Sequence, residues 1–291
     1  MPLEKSSPCK VNLLLNILGR RPDGFHELET VLHTVNLCDL LVLEKRGTGG
    51  VELTCSEATL PTDAQNLVHR AAMAFLQAAQ ISDGVKLHLE KKIPLAAGLG
   101  GGSGNAATTL LGLNELFGLP LGMEKLQELA AALGSDVPYF LQGKPALATG
   151  RGEIIQPLES FPALRRTVFF LIHPGFGIST PWAYQNLARF PGALNGRAGR
   201  AEELIARLGG ADLHAAGKQF YNSLEAPALE KYPLLALFQD FLRAHGAAAT
   251  LMSGSGSTTF AIVEGLKAAE LLREKFRGKF GQTCWTALVA V

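Results

Sequence analysis

The chain has 291 residues, of which 47% are apolar and 18% are charged, enough to form the cores of about two soluble domains. Its 27 lysines and arginines nearly balance 26 acidic residues, and the formal net charge is +1. This balance argues against a general polyanion-binding protein, which carries a strongly basic face, but it is compatible with a local pocket for a small anion.

The cysteine pattern and the hydropathy indicate a cytoplasmic protein without a membrane partner. No segment approaches the ~18 apolar residues that span a bilayer, and the first residues lack the pattern of a signal peptide. No C-x-x-C pair suggests a zinc site or a redox dithiol, so we expect reduced thiols. The four cysteines are widely spaced, at Cys9, Cys38, Cys55 and Cys284.

The first half of the chain is predicted to begin with a buried strand and a turn. A helix, an alternating strand, two helices and a hairpin follow, because the apolar period changes between 2 and 3.6 residues. In chain order these elements are predicted at residues 11–17, 19–24, 67–76, 85–90, 106–117, 123–133 and 146–155.

The apolar pattern loosens near residues 157–162, so we predict two domains, at residues 1–158 and 159–291. The second half is predicted to contain its own strands and helices, which mix without a strict βαβ alternation. This order favours the α+β class. The predicted elements are a strand at 166–172, helices between 180 and 244, strands on either side of 253–257, a helix ending at 276 and a last strand at 284–291. We expect a surface loop at residues 191–200.

Glycines cluster between a predicted strand and a predicted helix. Residues 94–107 read PLAAGLGGGSGNAA, with five glycines in the seven positions from 98 to 104. Glycine allows a ligand to approach main-chain N–H groups, and a helix start presents free N–H groups with a partial positive charge. The segment therefore favours a phosphate site over a plain flexible turn, which would not require so many glycines.

Three common glycine motifs fit this segment poorly. No lysine follows the glycines until Lys125, which excludes a Walker A loop. The G-x-S-x-G elbow is matched neither around Ser103 nor around Ser255. Residues 102–107 match the relaxed dinucleotide pattern, but no strand ending in an acid follows about 20 residues later. A dinucleotide oxidoreductase is therefore a weak alternative.

The glycine segment resembles the second motif of the GHMP kinases, a family of small-molecule kinases. Segments SPCKVNL at 7–13, RPDGFHEL at 21–28, LGSDVPYF at 133–140 and SGSGST at 253–258 resemble the same family in the same order. The resemblance runs nearly end to end. It implies an S5-like N-terminal domain, a ferredoxin-like C-terminal domain, and ATP with Mg²⁺ as cofactors. It also implies transfer of the γ-phosphoryl group to the 2-hydroxyl of a cytidyl-diphosphate sugar alcohol of the non-mevalonate isoprenoid pathway.

The resemblance implies a catalytic pair, Lys10 and Asp136, and a substrate contact at Asn12, one pleat beyond Lys10 on the same strand face. Phosphoryl transfer mainly requires an oriented hydroxyl and stabilised charge, so one carboxylate and one cation suffice. Asp136 would take or orient the hydroxyl proton, and Lys10 would polarise the hydroxyl or lower the pKa around Asp136. Two structural alternatives stay open: Asp136 as the N-cap of a short helix at 137–138, and Lys10 as a solvated lysine.

Aromatic residues are implied to bind the cytosine. Phe25 would stack on the base and His26 would hydrogen-bond its edge, directly after the turn at 22–24. The structural alternative for His26 is a histidine on the surface of that turn. Phe25 stands where the family commonly has tyrosine, so a hydroxyl group is missing. Tyr184 is implied to be a second stacking ring. Trp182 is the alternative ring, and core packing is the structural alternative for Tyr184.

The resemblance assigns the ATP phosphates mainly to the backbone of the glycine segment, with Ser103 contacting phosphate or magnesium. The family often has serine where Gly104 stands. Asn66 is implied to contact the nucleotide, and its structural alternative is the N-cap of the helix that follows. Ser255 lies in segment 253–258, whose structural alternative is a turn that links two strands. The magnesium ligands stay unassigned. The implied nucleotide-binding residues are Asn66, Pro94, Gly98, Gly100, Gly101, Gly102, Ser103, Gly104 and Ser255.

Two further functions are weighed against this hypothesis. Another GHMP kinase of the mevalonate or homoserine type would share most of these motifs, and the discriminating segment is 23–26. An S5-like domain could bind RNA without catalysis, but the net charge of +1 argues against it. We expect ATP and the cytidyl-diphosphate compound as partners, no nucleic acid, and a monomer or a weak homodimer.

Overall fold

The computed structural model describes residues 2–47 and 49–291, which mix strands and helices along the whole chain. The strands are β1 Leu3–Arg20, β2 His26–Arg46, β3 Val51–Cys55, β4 Gly84–Glu90, β5 Ala146–Gly150, β6 Ile154–Pro157, β7 Thr167–His173, β8 Tyr221–Asn222, β9 Ala249–Met252, β10 Thr259–Glu264 and β11 Trp285–Ala290. The mixture confirms the predicted α+β class.

The helices are α1 Leu67–Ala78, α2 Gly101–Leu116, α3 Met123–Leu133, α4 Thr180–Leu187, α5 Pro191–Leu194, α6 Arg200–Leu208, α7 Leu213–Gly217, α8 Glu225–Lys231, α9 Pro233–Ala244 and α10 Leu266–Phe280. Short 3₁₀ helices span Pro138–Leu141 and Pro162–Leu164.

The chain forms two compact units, each assembled from several segments. The first comprises the segment ending at Cys9, Leu37–Pro94 and Gly100–Gly143. The second comprises three further segments: Lys10–Asn36, Leu95–Leu99 and Lys144–Val291. A domain boundary at residue 158 stays a prediction.

The first unit combines a small sheet with three helices. The C-terminal half of β2 pairs antiparallel with β4, and β3 pairs parallel with β4. On β4, Val85, Leu87 and Leu89 are buried and alternate with exposed residues, as the sequence predicts. Helices α1, α2 and α3 pack on one another. Helix α1 buries Phe75 and other apolar residues at helical spacing, which confirms its prediction.

The second unit contains a four-stranded antiparallel sheet in the order β11-β7-β10-β9. Strand β7 is central and completely buried, so it carries a continuous apolar run. One core packs Phe170 of β7 against Phe238 of α9 and Phe276 of α10. In the same unit, β5 pairs with the N-terminal half of β2, and β8 pairs parallel with β1.

The stretch 191–200 is not the plain surface loop that the sequence suggests. It contains helix α5, and the Nδ2 group of Asn16 donates to the carbonyl oxygen of Arg197 at 2.8 Å. The buried carboxylate of Glu29 accepts from the N–H groups of Gly199 and Ala201 at the start of α6. Polar groups distant in sequence therefore fix this segment, which local composition does not reveal.

His33 on β2 is a buried histidine in an apolar environment. Its ring lies 5.5 Å from that of Phe169 and 6.1 Å from that of Phe161, and none of the residues that the structure describes forms a hydrogen bond with its Nδ1 atom. Burial lowers the pKa of His33 to about 4, because the charged form would lose its hydration. The folded protein therefore keeps this imidazole neutral.

We predict that this histidine makes the fold sensitive to acid. The unfolded chain binds a proton near pH 6.5 and the folded chain near pH 4, so stability falls as the pH is lowered between these values and is unaffected by this group above them. The loss reaches about 3 kcal/mol at pH 4. Urea unfolding at several pH values should show a smaller loss for His33→Leu, whereas the exposed-site control His88→Gln should keep it. Identical profiles for His33→Leu and wild type would contradict the assignment.

Candidate active site

The start of helix α2 presents main-chain donors. Gly100 is its N-cap in the left-handed conformation, with φ 69° and ψ 15°. The N–H group of Gly104 donates to the carbonyl oxygen of Gly100 at 2.8 Å. The N–H groups of Gly101, Gly102 and Ser103 precede that bond and have no acceptor within the helix. Together with the helix dipole, they can bind an anion such as a phosphate.

The helix begins five residues earlier than the sequence suggests, at Gly101 instead of residue 106. Glycine disfavours helix interiors, so propensity alone predicts a loop here. Gly104 differs from its expected role. Its N–H group is used within the helix, and a Cβ atom at this position would lie 2.6 Å from the carbonyl oxygen of Pro8. Gly104 therefore allows close packing and does not offer an N–H group to a phosphate.

Gly98 allows a close approach between two loops of the second unit. It has φ 75°, and a Cβ atom here would lie 2.1 Å from the carbonyl oxygen of Ser253. Its own carbonyl oxygen accepts from Ser253 Oγ at 2.9 Å and from Lys10 Nζ at 3.1 Å. Only glycine fits both the conformation and the space.

Lys10 is a buried lysine, only 3% exposed, which excludes the solvated alternative. Its main-chain N–H donates to the carbonyl oxygen of Leu99 at 2.9 Å, and its Nζ donates to Asn12 Oδ1 at 2.5 Å. The space beside the ammonium group is narrow, since a Cβ atom on Gly254 would lie 3.2 Å from Nζ. Asn12 Oδ1, together with the carbonyl oxygen of Gly98, therefore fixes the position of the Lys10 ammonium group.

The loop between β9 and β10 is fixed by two polar residues that the sequence analysis missed, the buried Asn222 and the half-buried Glu225. Asn222 Nδ2 donates to the carbonyl oxygens of Met252 and Gly254, at 2.7 and 2.8 Å. The Glu225 carboxylate accepts from the N–H of Met252 at 2.8 Å, and burial raises the pKa of this carboxyl group. Within this loop, the half-buried Ser255 exchanges a hydrogen bond with Thr180, the first residue of α4, at 2.8 Å between hydroxyl oxygens.

Asp136 lies half-buried in a tight turn of the first unit. The N–H of Val137 donates to the carbonyl oxygen of Gly134, and the 3₁₀ helix Pro138–Leu141 follows. The N-cap of that helix is Val137, so Asp136 does not take the N-cap position of the structural alternative. The ring of Phe140 reaches to 3.5 Å from the Cβ position of Gly104, which packs this turn against the start of α2.

A buried ion pair lies beside the first turn of α2 and is hydrogen-bonded to Asn105 of this helix. The carboxylate of Asp39 on β2 pairs with Lys91 Nζ, and their side chains are 0% and 7% exposed. Asp39 also accepts from the N–H groups of residues 92 and 93 and from Asn105 Nδ2. Asn105 donates further to Ser7 Oγ at 2.9 Å. The one sequence signal for this network is an acid within the apolar run 37–43.

The start of α1 lies beside the start of α2. Asn66 is the N-cap of α1: its Oδ1 accepts from the N–H of Val68 at 2.9 Å, and its Nδ2 donates to the carbonyl oxygen of Pro61 at 2.8 Å. This geometry matches the N-cap alternative. Leu67 Cδ1 lies 3.6 Å from the Cβ position of Gly102, so the segment around Asn66 adjoins the free N–H groups. Pro94 is half-buried in the connection between β4 and α2.

An aromatic group lies in the second unit. Phe25 is 54% exposed, and the guanidinium of Arg151 lies 4.7 Å from its ring centre. The ring of His26 lies 5.0 Å from that of Tyr184. Burial, with a smaller contribution from the nearby charge of Arg20, lowers the pKa of His26, so its imidazole is neutral near pH 7.

Trp182, the alternative ring, is engaged elsewhere. Its indole contacts the ammonium group of Lys231 at 4.2 Å and lies 6.2 Å from the ring of Tyr232. Tyr184 contacts His26, whereas Trp182 contacts Lys231 and Tyr232. The structure therefore favours Tyr184 over Trp182 as the second ring expected to stack on cytosine.

Residues 2–47 and 49–291 contain no group of three His, Cys, Asp or Glu side chains arranged to hold a metal ion. In the same residues, no helix combines the length and the apolar character needed to cross a bilayer.

The sequence matches two family models. Residues 66–144 match the GHMP kinases N terminal domain, and residues 192–282 match the GHMP kinases C terminal domain. A 4-diphosphocytidyl-2-C-methyl-D-erythritol kinase of Geobacter metallireducens is 41% identical over 276 residues, 95% of this chain and 92% of the relative. A kinase of the same name from a Synechococcus species is 41% identical over 94% of this chain and 88% of the relative.

Solved structures give the same result. A crystal structure of 4-(cytidine 5'-diphospho)-2C-methyl-D-erythritol kinase has a TM-score of 0.82 and 36% identity, covering 99% of this chain and 100% of that chain. A homoserine kinase from Cytophaga hutchinsonii has a TM-score of 0.76 at 21% identity, covering 100% and 94%, and shares the fold. On these matches, the chain belongs to the GHMP kinase family, whose members use ATP.

Proposed function

We propose that this chain is an ATP-dependent kinase that phosphorylates the 2-hydroxyl of 4-diphosphocytidyl-2-C-methyl-D-erythritol, a step of isoprenoid precursor synthesis. One observation carries the proposal: a helix start with three N–H donors directly follows the segment whose Gly98 carbonyl holds the buried Lys10. The relatives at about 41% identity, named for this activity, support the choice of substrate.

The ATP phosphates are bound by the N–H groups of Gly101, Gly102 and Ser103. Gly102 is exposed and the other two are half-buried, so a ligand can reach them. Mg²⁺ would be held mainly through the ATP phosphates and water, since its usual sites need only one or two protein ligands. Ser103 is the candidate hydroxyl contact. When bound, the metal neutralises charge on the phosphates.

Lys10 and Asp136 have different roles in transfer of the γ-phosphoryl group. The acceptor hydroxyl gives its proton to the Asp136 carboxylate, or is oriented by it, while its oxygen attacks the γ-phosphorus. The bond between the γ-phosphorus and the β–γ bridging oxygen breaks, and ADP leaves. The Lys10 ammonium stabilises negative charge on the reacting oxygens. Asn12 Oδ1 and the carbonyl oxygen of Gly98 hold the ammonium group of Lys10 in position for this role.

The cytosine is recognised by the aromatic group. The exposed ring of Phe25 offers one face for stacking while Arg151 lies over the ring. The neutral imidazole of His26 forms a hydrogen bond with the base edge, and Tyr184 supplies the second ring. We propose a kinase for a small molecule, with no nucleic acid partner, that acts as a monomer or a weak homodimer.

The substrate choice predicts a specific pattern of ADP release. With ATP and Mg²⁺, the purified chain should release ADP in the presence of 4-diphosphocytidyl-2-C-methyl-D-erythritol and stay near background with mevalonate or homoserine. Phosphorus NMR of the product should show one new phosphomonoester on the 2-hydroxyl. Turnover of mevalonate or homoserine without turnover of the cytidyl compound would reject the proposed substrate and favour another GHMP kinase.

The role of Asp136 predicts a selective loss of turnover. Asp136→Asn should lower kcat by at least ~100-fold, because the amide cannot accept the hydroxyl proton. The affinity for ATP should change little, since main-chain N–H groups bind the phosphates. The control Asp83→Asn changes an exposed acid before β4 and should keep full turnover. Near-normal kcat in Asp136→Asn, measured by coupled ADP release, would remove this residue from the mechanism.

A further inference from the structure

We propose that Thr30 is a positioning residue, which fixes the side-chain amide of Asn12 and through it the ammonium group of Lys10. The inference rests on the proposed function, in which Lys10 faces the reacting phosphoryl group. Thr30 lies on β2, is 4% exposed and belongs to none of the motifs assigned to ATP or to the substrate. Its role follows from the direction of three connected hydrogen bonds.

The first hydrogen bond determines which atoms donate and which accept in the whole series. Thr30 Oγ1 donates its hydrogen to the main-chain carbonyl oxygen of Leu14 on β1, at 2.5 Å. A carbonyl oxygen can only accept, and a hydroxyl group has a single hydrogen to donate. The hydroxyl oxygen of Thr30 therefore serves any second polar partner as an acceptor.

The second partner is the amide of Asn12. Its Nδ2 atom donates to Thr30 Oγ1 at 2.9 Å, which commits the NH₂ end of the amide to Thr30. The oxygen end is then directed at Lys10, whose Nζ donates to Asn12 Oδ1 at 2.5 Å. A reversed amide would set NH₂ against an ammonium group and an oxygen against the Thr30 oxygen. With Asn12 only 4% exposed, water cannot compensate for either mismatch.

The third hydrogen bond connects Thr30 and Asn12 to the proposed catalytic residue Lys10. Lys10 Nζ lies between Asn12 Oδ1 and the carbonyl oxygen of Gly98, at 2.5 and 3.1 Å. A charge that stabilises a transition state acts best when it is held in place before the reaction. Loss of the Thr30 acceptor would free the Asn12 amide to rotate. Lys10 Nζ would then lose its hydrogen bond to Asn12 Oδ1, and its position would be less well fixed.

Two variants of Thr30 separate positioning from simple stability. Thr30→Val has nearly the same shape and lacks the hydroxyl, whereas Thr30→Ser keeps it. We expect Thr30→Val to lower kcat by about 10- to 100-fold, the range for a misplaced catalytic group, with KM for ATP within about threefold of wild type. Thr30→Ser should restore kcat to within about threefold.

A second buried threonine provides the matched control. Thr167 is 2% exposed, and its Oγ1 donates to the carbonyl oxygen of Leu164 at 2.7 Å. Thr167→Val also removes one buried hydroxyl bond, so its Tm should fall to a similar extent, but its kcat should match wild type. Circular dichroism and Tm establish that each variant is folded at the assay temperature. If Thr30→Val does not fold, Thr30→Ala, which is smaller and also lacks the hydroxyl, carries the same comparison.

Each outcome either supports or overturns the positioning role of Thr30. Wild-type kcat in Thr30→Val overturns the proposal, as does an equal loss of kcat in Thr30→Ser or in Thr167→Val. If wild type itself does not phosphorylate the cytidyl compound, the proposed function fails and the crystal structure of Thr30→Val decides the positioning role. A rotated Asn12 amide or a displaced Lys10 Nζ supports the role, and unchanged positions of both overturn it.

Discussion

The carbonyl oxygen of Gly98 is the point on which the candidate site depends. It accepts hydrogen bonds from Lys10 Nζ and from Ser253 Oγ, and so joins strand β1, the segment before helix α2 and the loop between β9 and β10. This meeting requires a residue without a Cβ atom, because the Ser253 carbonyl would lie 2.1 Å from one. Gly98 and Gly104 thus allow close approach of main chains, a role separate from the phosphate binding proposed for residues 101–103.

The site also explains how a nearly neutral protein can bind a polyanion. The charged side chains beside the start of α2 form a buried pair, Asp39 with Lys91, and therefore add little net charge. In the proposed function, the attraction for phosphate comes instead from oriented N–H groups at residues 101–103 and from the helix dipole. Binding of this kind is local and does not require a strongly basic chain, which agrees with the net charge of +1.

The sequence predicts the parts of this molecule that depend on neighbouring residues. The alternation on β4, the helical spacing on α1 and the order of the motifs are local patterns, and the structure has these elements within a few residues of their predicted ends. The start of α2 was misplaced because glycine propensity opposes a helix there. Asp39, Asn222 and Thr30 were missed because their hydrogen-bond partners are between 16 and 66 residues away in the chain. Only the folded structure brings such partners together.

The most direct test of the account is a crystal structure with an unreactive ATP analogue and the cytidyl substrate. The account predicts phosphate oxygens at about 3 Å from the main-chain nitrogens of Gly101, Gly102 and Ser103, as in ordinary N–H···O bonds. It also predicts that Lys10 Nζ and the Asp136 carboxylate flank the terminal phosphate and the acceptor hydroxyl. A triphosphate bound away from the start of α2, or either side chain directed away from the reacting atoms, would contradict it.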